Sequence, residues 1–331
     1  MKPSSLPALD RNRARAIAAE FSAASVLVIG DVMLDQFLLG RVTRISPEAP
    51  VPIVHYARSE NRIGGAANVA HNVVALGGKA ALVGLIGRDA SASALRDALS
   101  GSGLPTDGLV EDTHRPTTTK VRVVTDRHQQ VARVDYEDDR EAAGSVETAL
   151  VECASRLAAH AGAIVVSDYL KGCVTRRLVG ELVVLAKQQS IPLLVDPKIP
   201  HIDYYRGASL VTPNHHEAEV ATHTRIRTDE EAAIAARRFR ERAGCEGVLI
   251  TRGEHGMWLL DGDVEGVLPA TARDVADVTG AGDTVIATLA LALAAGATLA
   301  EAARLANHAA GLVVAKFGPA TVSAEELLEV V

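Results

Sequence analysis

The run VLVIGD, Val26 to Asp31, joins four β-favouring apolar residues to a glycine and an acid, and runs of the same make recur along the chain. They are AALVGLIG from Ala80, AIVVSD from Ala163, PLLVDP from Pro192, SLVTPN from Ser209 and GVLITRG from Gly247. Stretches rich in Ala and Leu, such as Ser145 to His160 and Thr175 to Gln189, lie between most of them at helical length. Fully apolar strands alternating with helices predict an α/β domain around a mainly parallel sheet, buried on both faces. Such sheets bind ligands at the carboxyl ends of their strands. Four of the runs end in Asp31, Asp168, Asp196 and Asn214. Each alone is an ordinary turn former; together they predict a polar rim.

Two segments break this rhythm, Gln36 to Glu60 and Thr117 to Glu137. Both are strand-like, and the second alternates apolar and polar residues about a turn near Asp126. They are expected to form a small β-sheet lid inserted into a single domain spanning 1–331. One face of the lid would meet substrate, and another a partner subunit.

Composition narrows the function classes. A chain of 331 residues with 48% hydrophobic content can fill a large core. Its 34 basic and 41 acidic residues give a net charge of -7, and no basic block is interleaved with aromatics, so nucleic acid is not the expected partner. Cys153, Cys173 and Cys245 lack metal-ligand spacing and read as thiols of a reducing compartment. The first residues lack a signal-peptide core, and the apolar run after Asp283 is shorter than the roughly 20 residues of a membrane span. A cytoplasmic protein without a membrane segment is expected.

The chemistry concentrates in three places. In DVTGAGDT, Asp277 to Thr284, the backbone N–H groups of Gly280, Ala281 and Gly282 can converge at a helix N-terminus beside Asp283. N-capping by Asp283 would look the same in sequence. For phosphoryl transfer to a hydroxyl, however, such donors hold the moving charge while the carboxylate takes the proton. In RIGGAANVAHNVVALGG, Gly64 and Gly65 precede Asn68 on a helix; the pair allows close ligand approach, and Asp31 is the natural companion for polyol hydroxyls. In TPNHHEAE, Asn214 and Glu217 are spaced either to hold a hydrated divalent cation or to cap a helix. His215 and His216 diverge too far on a helix to share one metal. No G-x-x-x-x-G-K-[ST] occurs and no G-x-G-x-x-G follows the first strand, which disfavours P-loop and ordinary Rossmann enzymes.

GGAANVA and DVTGAGDT resemble the two signatures of the ribokinase-like, or PfkB, sugar kinases, and the similarity runs over nearly the whole chain. The resemblance implies a three-layer α/β/α domain with a β lid, ATP as donor and a magnesium ion. It implies Asp283 as catalytic base and Gly280 to Gly282 as anion hole. It places Asp31, Gly64, Gly65 and Asn68 at the sugar, Asn214 and Glu217 at metal and phosphates, and Thr251, Gly253 and Asn307 near the nucleotide. The family often holds a monovalent cation near the segment that corresponds to Asp277 and Thr279 here.

Within the family, GRVTRISPEAPVPI, SDYLKG, DPK and AKFGPATVS resemble the branch that phosphorylates D-glycero-D-manno-heptose 7-phosphate at C1, for ADP-heptose and the lipopolysaccharide core. Lys171, Lys198 and Arg133 are the candidates for the 7-phosphate, since a bound dianion needs fixed cations; solvated surface charge is their other reading. That branch is often fused to a nucleotidyltransferase, an activity expected here on another polypeptide. A kinase for another sugar, and a non-catalytic sugar sensor, are the competing functions. An intact GAGD argues against the sensor, which has no use for a base. A homodimer through the lid is expected.

Overall fold

The computed structural model describes residues 6, 8–126, 129–272, 275–316 and 320–331. The tip of the second expected lid segment, 127–128, and the middle of AKFGPATVS, 317–319, lie outside the described residues. Thirteen strands are present among the described residues: β1 (Ser25–Gly30), β2 (Val32–Ile45), β3 (Pro52–Gly65), β4 (Lys79–Ile86), β5 (Leu109–Glu111), β6 (Thr119–Thr125), β7 (Gln130–Tyr136), β8 (Ala163–Ser167), β9 (Leu193–Asp196), β10 (Leu210–Val211), β11 (Gly247–Thr251), β12 (Met257–Asp261) and β13 (Val264–Leu268).

Nine of them form one sheet in the order β13-β12-β11-β10-β9-β8-β1-β4-β5. From β11 through β5 every pairing is parallel, and β12 and β13 add an antiparallel edge. The period-2 geometry of strands sorts their side chains into two cores. Val26 and Val28 of β1 pack with the helices Ala66–Ala75, Ala281–Ala294 and Leu299–Val313, while Leu27 and Ile29 pack with Gly144–Ala158, Arg176–Gln189 and Asp229–Ala243. This is the expected three-layer architecture. The apolar run after Asp283 is a helix buried from Asp283 to Ala292, which explains why it is apolar all round. No helix among the described residues is long and apolar enough to cross a membrane.

The lid is a separate four-stranded sheet, β3-β2-β6-β7. It begins earlier than the expected Gln36, because β2 starts at Val32, a single residue after β1 ends. Cross-strand register defines its two faces. Asp35 lies opposite Arg62 and Lys120, Phe37 opposite Glu60 and Arg122, and these charged positions share one face with Arg133 and Asp135. Leu38, Val121, Val123, Val134 and Tyr136 share the other, where Val134 and Tyr136 are exposed.

Candidate active site

The carboxyl ends of β1, β8, β9 and β10 bring Asp31, Asp168, Asp196 and Asn214 to one rim, facing the first turn of the helix Ala281–Ala294. Asp283 is buried there. Its Oδ2 accepts a bond from Asn68 Nδ2 at 2.6 Å, and its Oδ1 accepts one from the Tyr169 hydroxyl at 2.7 Å. Burial raises the Asp283 pKa, and the bonds from Asn68 and Tyr169 and the charge of Lys198 offset only part of the rise. A carboxylate so placed is a stronger base than one in water.

Gly64 and Gly65 make that arrangement possible. Gly65 has φ +59°, and a Cβ there would lie 2.2 Å from the backbone oxygen of Asp31. The chain can therefore turn from β3 straight into the helix that carries Asn68.

A cavity of about 230 Å³ runs from Asp283 and Gly282 past Lys198 to Asn214, Glu217 and Thr251. Gly280, with φ 79°, caps the helix, and a side chain at Gly282 would project into open space. Ala281 is the exception in the expected anion hole: its N–H donates to the carbonyl of Val278 at 3.2 Å. Lys198 Nζ lies 2.5 Å from Glu217 Oε1. Burial disfavours its charge, but Asp196 and Glu217 outweigh that, and its pKa is raised. Asp196, also on the cavity wall, is pushed by burial to about 8 against the pull of Lys198.

Several expected residues take other partners. Asn214 and Glu217 form a capping box, Glu217 N to Asn214 Oδ1 at 2.9 Å and Asn214 N to Glu217 Oε2 at 3.0 Å, so the capping reading is realised while Glu217 still faces the cavity. Asn307 is buried and donates its side-chain amide to the Pro269 carbonyl at 2.7 Å. Gly253 opens a short 3-10 turn after Thr251. Arg133 pairs with Asp135 at 3.0 Å and Lys171 with Glu137 at 2.8 Å, both at the lid, whereas Lys198 sits on the Glu217 side of the base.

Asp31 differs most from expectation. Its Oδ2 accepts N–H bonds from Tyr169 at 2.7 Å and Lys171 at 3.0 Å, and its Oδ1 accepts one from Cys173 at 3.0 Å. Such a carboxylate anchors the loop after β8 rather than offering itself to a polyol. Beside it Asp168, with no exposed surface, accepts from Tyr205 and His201, each at 2.7 Å, and from Leu170 N at 2.8 Å. The anchored loop delivers Tyr169 to Asp283.

A further acid near the base is Asp35, which is paired with Arg122 and which sequence reasoning missed along with Tyr169. A Cβ on Gly64 would lie 2.7 Å from its Oδ2, and its charge contributes to raising the Asp283 pKa. Its signal was an acid inside an apolar strand, with nothing local to show which face it takes.

A profile of the pfkB family carbohydrate kinases matches residues 23–326. The chain belongs to that family. This pfkB kinase is 44% identical over 321 residues to the bifunctional protein HldE of Geobacter sulfurreducens, covering 97% of the chain but 65% of that relative's length. It is 46% identical to a D-beta-D-heptose 7-phosphate kinase of Bordetella bronchiseptica, covering 94% and 97% of the two chains. Among solved structures it is similar to Arabidopsis thaliana ribokinase complexed with ribose and ATP, with TM-score 0.71, 20% identity and coverage of 93% and 98%. Phosphofructokinase-2 from Escherichia coli, in complex with potassium, gives TM-score 0.73 at 19% identity over 93% and 97%. Those two likenesses carry the fold.

Proposed function

We propose that this pfkB kinase transfers the γ-phosphoryl group of ATP to the C1 hydroxyl of D-glycero-D-manno-heptose 7-phosphate, in the cytoplasm, on the way to ADP-heptose. The observation that carries the reaction type is Asp283, buried and doubly hydrogen-bonded at the mouth of a glycine-lined helix turn. The acceptor rests on the named relative of nearly equal length.

In this mechanism Asp283 removes the proton of the acceptor hydroxyl as its oxygen attacks the γ-phosphorus. The new O–P bond forms, the bond to the β-phosphate oxygen breaks, and ADP leaves. Asn68 and Tyr169 hold the carboxylate; Asp35 and the backbone at Gly64 receive the sugar. Lys198 and the N–H groups at Gly280 and Gly282 lie where negative charge gathers on the moving group. Thr251 and Gly253 border the nucleotide side.

The donor set suits a magnesium ion bound mostly through water and phosphate oxygens. One Glu217 oxygen faces Lys198 and the other caps the helix, and no group of three or more His, Cys, Asp or Glu among the described residues could hold a metal by itself. Glu217 and Asn214 would hold the hydrated ion, which supplies charge neutralisation when bound. A monovalent cation near Asp277 and Thr279 belongs to the same proposal. So does a homodimer through the lid, favoured by the exposed Val134 and Tyr136.

Measuring ATP consumption against heptose 7-phosphate, free heptose, ribose and fructose tests this reading. The 7-phosphate is expected to lead in kcat/KM by about 100-fold or more, as two charge-assisted contacts supply. Equal turnover of ribose or free heptose would leave only the broader sugar-kinase assignment.

A further inference from the structure

The acceptor's reacting hydroxyl must meet Asp283, so a phosphate at the far end of a seven-carbon sugar reaches toward the lid. Asp35 marks the start of that path. Arg122 is hydrogen-bonded to Asp35 Oδ1, and its guanidinium carbon lies 5.4 Å from the centre of the Phe37 ring. The guanidinium of Arg62, from the strand on the other side of β2, lies 4.8 Å from the same ring. Two guanidinium groups therefore converge on one aromatic platform, two residues beyond Asp35 on the same face of the strand. A cavity of about 220 Å³ adjoins Arg62 and is lined also by Asn61, His71, Ser102 and Asn68. Asn68 is the residue that bonds Asp283, so this cavity shares a wall with the catalytic base.

We propose that Arg62 and Arg122, braced on Phe37 at the charged face of the lid, receive the distal phosphate monoester of the acceptor. The inference rests on the phosphorylated-acceptor reading above and says which side chains enforce it. A guanidinium presents a planar fork of donors that matches a phosphate, and packing on Phe37 holds that fork before the ligand arrives. The present partners can be shared or exchanged. Glu60 is bonded by both Arg58 at 3.0 Å and Arg62 at 3.2 Å, so it keeps a cation when Arg62 turns to the phosphate. That pair is solvent-exposed and weakly held. Of the competing cations, Lys171 is bonded to Glu137, which Lys120 also binds, and Arg133, paired with Asp135, lies one strand farther from Phe37 than Arg122. Lys198 lies across the base, against Glu217.

The test is the ratio of kcat/KM for heptose 7-phosphate to that for the same heptose without phosphate, measured in the wild-type protein, Arg62→Met, Arg122→Met and Arg62→Lys. Each Met variant is expected to lower the ratio about 10- to 100-fold, the effect of one lost charge-assisted contact, with Arg62→Lys recovering part of it. Melting curves show that each variant is folded. Should Arg122→Met unfold because Asp35 loses its partner, Arg62→Met decides alone, since its bridge is exposed. A ratio unchanged in the Met variants, or one that collapses only in Lys171→Met, overturns the subsite. A wild-type protein with no preference for the phosphorylated sugar overturns the acceptor reading itself, a result distinct from a preference that ignores the two arginines.

Discussion

In β1 the residues Val26 to Ile29 have no exposed surface, whereas in the lid Val134 and Tyr136 leave 47% and 56% of theirs in solvent. The main sheet has a helical layer on each face and finds all its apolar partners within the chain. The lid is covered only at its root, where Leu34 and Ile63 join the core, while Val134 and Tyr136 stay in solvent; its other face carries Asp35, whose charge reaches Asp283. One sheet buries its apolar residues within the chain; the other leaves part of them exposed. In the proposed mechanism the base belongs to the first region and acceptor selection to the second, so the two should respond to substitution separately.

The hardest test of that separation is Asp283→Asn. It keeps the size and one acceptor oxygen, turns the other position into a donor and removes the base, and kcat should fall by about 10² to 10⁴, the usual share of general-base catalysis. Calorimetric affinities for ATP and sugar phosphate should stay within a few fold. A variant that retains wild-type turnover would remove Asp283 from the mechanism.

Next in size is a contrast in stability. Phe239 has no exposed surface and fills the core beneath β11, so Phe239→Ala should cost about 3 to 5 kcal/mol in denaturant melts. Tyr136→Ser on the lid should change monomer stability by less than about 0.5 kcal/mol. Light scattering should nevertheless show it shifting a dimer toward monomer. Equal destabilisation by both, or a wild-type protein that scatters as a monomer, breaks the comparison.

The smallest effect is expected where the regions meet. Tyr169→Phe removes one bond that lowers the Asp283 pKa while leaving burial, which raises it. The base then takes up its proton at higher pH, so the acid limb of the kcat profile should move upward. Lys198 and Asn68 still pull the pKa down, and Asp35 still pushes it up, so the change stays partial. At neutral pH kcat should drop by about tenfold, the worth of one such bond. A profile that does not move would reduce Tyr169 to a packing residue.

The layers of the body were legible because six of the seven strands in the parallel part of the sheet lie in apolar runs, the three-residue β5 being the one missed, and Asp31, Asp168, Asp196 and Asn214 were recognisable as strand ends. What was not legible depends on distant register. The donors to Asp31 come from Tyr169, Lys171 and Cys173, and no local pattern announces that a loop so far along the chain will close over it. The face that Asp35 takes likewise follows from its pairing with Arg62 and Lys120, which is a property of the assembled lid. The lid boundary was misplaced because β2 continues from β1 with only Asp31 between them, leaving no turn residues to mark the change of sheet. Ala281 was counted as a donor because the turn that commits its N–H to Val278 is invisible in the motif.

The placement of β1 also bears on how the chain is made. Its two neighbours are β4 and β8, so one of its edges waits for residues 163–167 and the acid at its end waits for the loop up to Cys173. A nascent chain that has delivered only its first half therefore carries an apolar strand with an open edge and a carboxylate whose backbone N–H donors have not yet been made. Closure of the centre of the molecule must follow synthesis of its middle, which makes the interval before Cys173 emerges the one in which the polypeptide most needs protection from aggregation.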